Sequence, residues 1–120
     1  SRDTSGQGNV IFIHPDGTSP SHWGAARMLH YGPDGRLNWD KASNLGVYLG
    51  HMKNQLTGTS NAGAVTHATG VKVNADSFGL DENFRPIVAA SGKNQTIVQE
   101  AIAAGKSTAL INSGMIHEPG

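Results

Sequence analysis

Three short apolar runs set the tightest limit on what this chain can fold into. They are N-V-I-F-I-H (9–14), L-G-V-Y-L-G-H (45–51) and S-T-A-L-I-N-S (107–113). The first is continuous, β-branched and aromatic, the pattern of a strand buried on both faces as in a parallel sheet. The third is nearly as continuous, and the second is interrupted by Gly46 and Gly50. Segments with helical signals lie between them, so the order reads strand, helix, strand, helix, helix, strand. That order predicts an α/β fold, a central mostly parallel sheet flanked by helices, with right-handed crossovers.

The helical segments carry their own punctuation. After P-D-G (15–17), Thr18 or Ser19 can cap a helix with Pro20 at its first position. Trp23, Ala26 and Leu29, widened by Ala25 and Met28, then give one apolar face, predicting a helix over about 20–31. G-T-S-N-A-G-A-V-T-H-A-T-G (58–70) predicts a short helix of small residues, capped near Thr59 or Ser60 and closed by Gly70. Thr96 and Gln99 have capping-box spacing, Ile97, Val98, Ala101 and Ile102 share a face, and Gly105 ends that helix. The second P-D-G (33–35) reads as a plain turn. Residues 71–94 show no period, and a stretch that long without structure is usually functional or mobile.

No linker or second domain is visible, so residues 1–120 read as part of one α/β domain. A central parallel strand needs neighbours on both sides, and three strands supply few. The chain is therefore expected to be the N-terminal part of a larger protein. Composition narrows the partners. Nine basic and nine acidic residues cancel, which gives no electrostatic support for a nucleic-acid or polybasic membrane role. Cysteine is absent, excluding disulfides and thiolate metal sites, and no apolar run is long enough to span a bilayer.

Asp16 follows the first strand directly, at the sheet edge where ligands bind in open α/β folds. A carboxylate fixed there suits a divalent cation and can bridge two; the plain alternative is a turn or cap residue. Ser60 lies where a polar loop enters a helix, a place that favours anions and would present its hydroxyl to a bound phosphate. His67, two helical turns on, is too far to serve as its base, so activation would fall to a metal. The plain alternative is an N-cap serine. Glu118, after the third strand, is a candidate metal ligand, or a solvated acid in a loop.

The six histidines (14, 22, 30, 51, 67, 117) show no HxH or HExxH spacing and read as solvent-facing or capping; only His117, beside Glu118, is kept as a candidate. Gly105-Lys106-Ser107 fails as a phosphate loop because Glu100 stands where glycine is needed and a strand follows.

In combination these blocks are more specific. V-I-F-I-H-P-D-G-T-S and a helix ending near A-A-R resemble the opening strand and metal-binding aspartate turn of alkaline phosphatases. T-S-N-A-G-A-V-T-H-A-T-G-V-K resembles that family's nucleophile segment. T-I-V-Q-E-A-I-A-A-G-K-S-T-A-L-I-N-S resembles the helix and strand that follow, and H-E-P-G falls where further metal-site residues lie. The resemblance implies a hydrolase of small-molecule phosphate monoesters working through a phosphoserine, with two zinc ions and one magnesium. Asp16 would bridge metals, Ser60 would be the nucleophile and a metal contact, and Glu118 would help hold magnesium. It also implies a periplasmic or secreted protein, with a homodimer possible.

Departures from the pattern mark a divergent, bacterial-type branch. Thr59 replaces the usual aspartate before the nucleophile, His14-Pro15 replaces a small residue and glycine, and Glu118 stands where threonine is common. Thr59 is an alternative nucleophile, as in related phosphodiesterases; a phosphodiesterase or sulfatase relative, or a catalytically silent phosphate- or partner-binding module, are the competing readings. Arg27, Arg36 and Arg85 do not match the phosphate-binding arginine. That arginine and the remaining ligands are expected further along, so the 120-residue piece alone is expected to be inactive.

Overall fold

The computed structural model describes residues 8–118. The chain divides into two compact units, Ser1–Ala42 and Ser43–Gly120.

In the first unit, α1 (Pro20–Tyr31) begins where Ser19-Pro20 predicted. Ser19 is the N-cap in extended conformation, and its N–H donates to Nδ1 of His22 at 3.0 Å. A histidine thus stands where a capping box usually has Glu or Gln, and it caps only with Nδ1 unprotonated. The two P-D-G triplets form turns in different registers. Thr18 N–H donates to the Pro15 carbonyl, putting Asp16 at the second corner and Gly17 at φ +67 in the third. Gly35 N–H donates to the Gly32 carbonyl, so Asp34 takes the third position and Gly35 the last. A Cβ on Gly35 would lie 2.1 Å from Cβ of Tyr31, so this close return of the chain to α1 requires glycine.

The return delivers a 3-10 turn, Trp39–Lys41, unexpected from the sequence. Trp39 meets Trp23 at 5.2 Å between ring centroids, tilted by 42°. Arg27 grips Asp40 with two bonds, Nη2 to Oδ1 at 2.7 Å and Nε to Oδ2 at 3.1 Å, while Leu37 N–H donates to Oδ2 at 2.8 Å. The guanidinium, then the Leu37 N–H, hold the Asp40 carboxyl below its ordinary value of 3.8. A depressed carboxylate stabilises above the unfolded value, and that contribution is lost as pH falls through the folded one. The near-ultraviolet circular dichroism of the Trp23–Trp39 pair is therefore expected to persist at pH 3.8 and collapse only at lower pH. In Arg27→Ala it should already be weak at neutral pH, with no acid step; an unchanged signal there would show that the ion pair does not place Trp39.

In the second unit, α2 (Ser60–Thr69) packs Ala62 into a small core with Met52 and Val73, bordered by Val65, Ala75 and Ile87. Its end is tied by backbone bonds. Gly70 adopts φ +72 and ψ +13 and donates to Thr66, as a left-handed C-cap does. Ala90 N–H donates to the Thr69 carbonyl at 2.8 Å, and Lys72 Nζ reaches the Leu49 carbonyl at 3.0 Å. The A-T-G-V-K close of the helix is thus where two loops dock.

The third helix, α3 (Ile97–Ala103), shows the predicted capping box: Gln99 N–H donates to Thr96 Oγ1, and Thr96 N–H to Gln99 Oε1. Gly105 N–H donates to Ile102 and Lys106 N–H to Ala101, a Schellman ending.

Residues 71–94 are more ordered than their lack of period suggested. Val73 and Ala89 are buried. Asp81 Oδ1 accepts from Asn83 and Arg85 N–H groups, and Leu80 and Pro86 form an antiparallel bridge. Those two N–H bonds, Arg85 first, lower the Asp81 carboxyl. The three apolar runs carry neither helix nor strand ladder among the described residues, and Val10, Val47 and Ile111 are each over 90% exposed. Among the described residues no ladder engages the backbone donors and acceptors that each run offers.

Candidate functional site

Asp16 is exposed on its turn, and its carboxylate makes no hydrogen bond among the described residues. Capping of α1 is done by Ser19 and His22, so Asp16 does not serve as the cap that the plain reading allowed. It remains an exposed turn acid in the first unit.

The best-defined constellation lies at the start of α2. Thr59 is the N-cap (φ −121, ψ 147), and its carbonyl accepts the first helical bond, from Gly63 at 2.9 Å. Ser60 is the first helical residue and exposed. An N-cap threonine normally turns its hydroxyl onto the helix's own first N–H groups. Thr59 does not: its Oγ1 accepts the N–H of Asp76 at 3.1 Å, across the loop that follows α2. No side chain caps the first turn, so its N–H donors and the positive end of the dipole stay available beside the Ser60 hydroxyl. An acyl or phosphoryl oxygen brought there would meet donors already oriented.

Asn61 follows with only 7% exposure, and its Nδ2 has no partner among the described residues. Leaving a buried amide donor unpaired costs about 1–3 kcal/mol. Neither Asn61 nor Asp76 stood out in the sequence. Asp76 gave no signal because its link to Thr59 spans 17 residues.

Glu118 and His117 end the described chain in a turn closed by Glu118 N–H donating to the Met115 carbonyl at 3.1 Å, and both are exposed. The rest of the H-E-P-G block, Pro119 and Gly120, lies outside the described residues. Of the five histidines read as bland, His22 serves the α1 cap, His67 lies against Tyr48 at 5.3 Å, His14 lies beside Phe12 and His30 beside Tyr31.

Zinc and magnesium need several ligands converging. Among the described residues no three His, Asp or Glu side chains gather into such a group. The described residues therefore do not by themselves fit a two-zinc, one-magnesium centre. A cleft of about 270 Å³, lined by Lys53, Lys72, Asp81, Glu82 and Ile87, includes none of the candidates. There Lys53 Nζ lies 3.1 Å from Glu82, Lys72 Nζ donates to the Leu49 carbonyl, and Asp81 accepts from the N–H groups of Asn83 and Arg85. No helix among the described residues is long and apolar enough to cross a membrane.

No curated protein and no solved structure matches the chain. The model of the alkaline phosphatase family matches residues 7–119. That match takes in the Asp16 turn, the whole of α2 with Ser60 and the acid at Glu118, and the chain belongs to the alkaline phosphatase family.

Proposed function

We propose that this chain carries the nucleophile of a metal-dependent phosphomonoester hydrolase, and that the nucleophile is Ser60. Family membership supports a phosphatase-type hydrolase. The observation that carries the finer reading is the start of α2: an exposed hydroxyl on the first helical residue, beside N–H groups that no side chain caps. The Ser60 hydroxyl gives up its proton to solvent as its oxygen attacks phosphorus, the ester P–O bond breaks, and the alcohol departs with a proton from solvent. Water then cleaves the phosphoserine to free phosphate and restores the hydroxyl. The first-turn N–H groups hold the phosphoryl oxygens through both steps.

Two zinc ions and one magnesium belong to this reading, with Asp16 and Glu118 as carboxylate ligands, Ser60 as a further contact and His117 as an additional candidate. Such ions would stabilise the alkoxide form of the nucleophile. The described residues do not by themselves assemble the ligand sets of these ions. The reading also takes the three apolar runs as strands of a mostly parallel sheet completed by further strands, within a single α/β domain. Small phosphate monoesters as substrates, a periplasmic or secreted location and a homodimer complete it.

Thr59 is the rival nucleophile. Its hydroxyl is already engaged by Asp76, which favours Ser60. The test is to quench full-length enzyme with acid during turnover and map the phosphoryl group by peptide mass spectrometry. Phosphate on Ser60 is expected; phosphate on Thr59, or none on either, would refute the assignment.

A further inference from the structure

The Thr59 hydroxyl has an unusual employment, and its consequence falls on the residue next to it. Hydroxyls at an N-cap ordinarily satisfy an N–H of the second or third helical residue. Here the acceptor is turned outward to a tertiary partner, the Asp76 N–H at 3.1 Å. That partner is held firmly. Ser77 N–H donates to the Asn74 carbonyl, closing a turn with Asp76 in its third position at φ +60. Glycine is the residue that takes such a position without strain. Ala75, beside it, packs against the Met52–Ala62–Val73 core, and its N–H donates to Asn54 Oδ1 at 2.8 Å. The donor that meets Thr59 is thus fixed by the core, by Asn54 and by its own turn.

We infer that Thr59 is a positioning residue for the reaction at Ser60: its bond to the Asp76 N–H locks the entry to α2 and keeps the threonine hydroxyl off the first-turn N–H groups. This rests on Ser60 as the nucleophile. Two effects follow from one bond. The peptide between Thr59 and Ser60 has its orientation set from outside the helix, and the Ser60 hydroxyl with it. The N–H donors that a capping threonine would occupy remain for the phosphoryl oxygens. Released from Asp76, the hydroxyl would fall back onto those donors and compete with the substrate.

The bond itself is testable without activity. In the full-length protein, the Asp76 amide should be protected from hydrogen exchange in the wild type and in Thr59→Ser, and should exchange as an open loop in Thr59→Val. Kinetics then ask whether the bond matters. Thr59→Val keeps the shape and removes the acceptor, and is expected to lower kcat for a phosphate monoester about tenfold or more. Thr59→Ser restores the acceptor and should recover kcat to within a few-fold. The phosphoryl group should stay on Ser60 in all three proteins.

An unprotected Asp76 amide in the wild type would overturn the inference, as would wild-type kcat in Thr59→Val. A deficit in Thr59→Val that serine fails to repair would also overturn it, by pointing to the threonine methyl. Phosphate found on Thr59 is a separate failure, that of the nucleophile assignment, and the exchange result would still stand. Should Thr59→Val not fold, wild-type protection and the activity of Thr59→Ser decide the matter.

Discussion

Ser60→Ala in the full-length protein is expected to remove at least about a thousandfold of phosphatase kcat, the scale on which losing a covalent nucleophile is felt. Folding should hardly notice. Ser60 is exposed, caps nothing and makes no side-chain hydrogen bond among the described residues, so the variant's unfolding free energy should stay within about 0.5 kcal/mol of wild type. The contrast between lost turnover and kept stability gives the test its force, because it separates chemistry from collapse. Thr59→Ala made in parallel should leave turnover impaired but measurable. If Thr59→Ala alone abolished turnover while Ser60→Ala kept it, the nucleophile would move one residue back and the phosphodiesterase-like reading would lead.

Gly70→Val should cost the second unit much of its stability. Gly70 holds φ +72, where a β-branched residue is strained, and a Cβ there would stand 3.0 Å from Cβ of Ala90. Left-handed strain and overpacking together predict a loss of about 3 kcal/mol. The damage should be specific as well as large. Ala90 would have to retreat, and with it the bond from its N–H to the Thr69 carbonyl that docks the following loop on α2. Gly105→Val is the control: its φ is also positive, +75, but nothing lies within 4 Å of its added Cβ. It should cost only the conformational part, about 1–2 kcal/mol. Equal shifts of the urea midpoint in the two variants would mean that crowding against Ala90 contributes nothing.

These predictions rest on features of unequal visibility in the sequence. Gly70 and Gly105 were readable as helix stops because a left-handed C-cap is a local demand on one residue. The boundaries of α1 and α3 were readable for the same reason: Ser19-Pro20 and the Thr96–Gln99 pair act within four residues of themselves. Asp16 as a turn acid and Ser60 at a helix start were visible too, as positions. A catalytic role for either belongs to the proposal, since turn and cap chemistry alone explains both positions.

Long-range bonds were not readable. Residues 71–94 lacked period because little of their order comes from an amphipathic face. It comes from Lys53 N–H reaching the Val73 carbonyl at 2.8 Å, from Asn54 and Thr59 accepting the amides of Ala75 and Asp76, and from Asp81 closing its own turn. Only the last left a trace in the sequence, an aspartate two and four residues before the amides it accepts. The Arg27–Asp40 and Trp23–Trp39 contacts escaped similarly, since they need Gly35 to bring the chain back against Tyr31.

By itself, then, the sequence determined where three helices begin and end and which family the chain resembles, because caps, stops and ordered motif blocks are local. Only the tertiary structure decided where the Thr59 hydroxyl goes. A hydroxyl at an N-cap has two classes of donor within reach, and the choice between its own helix and Asp76 depends on a loop held in place by Asn54 and the Met52–Ala62–Val73 core.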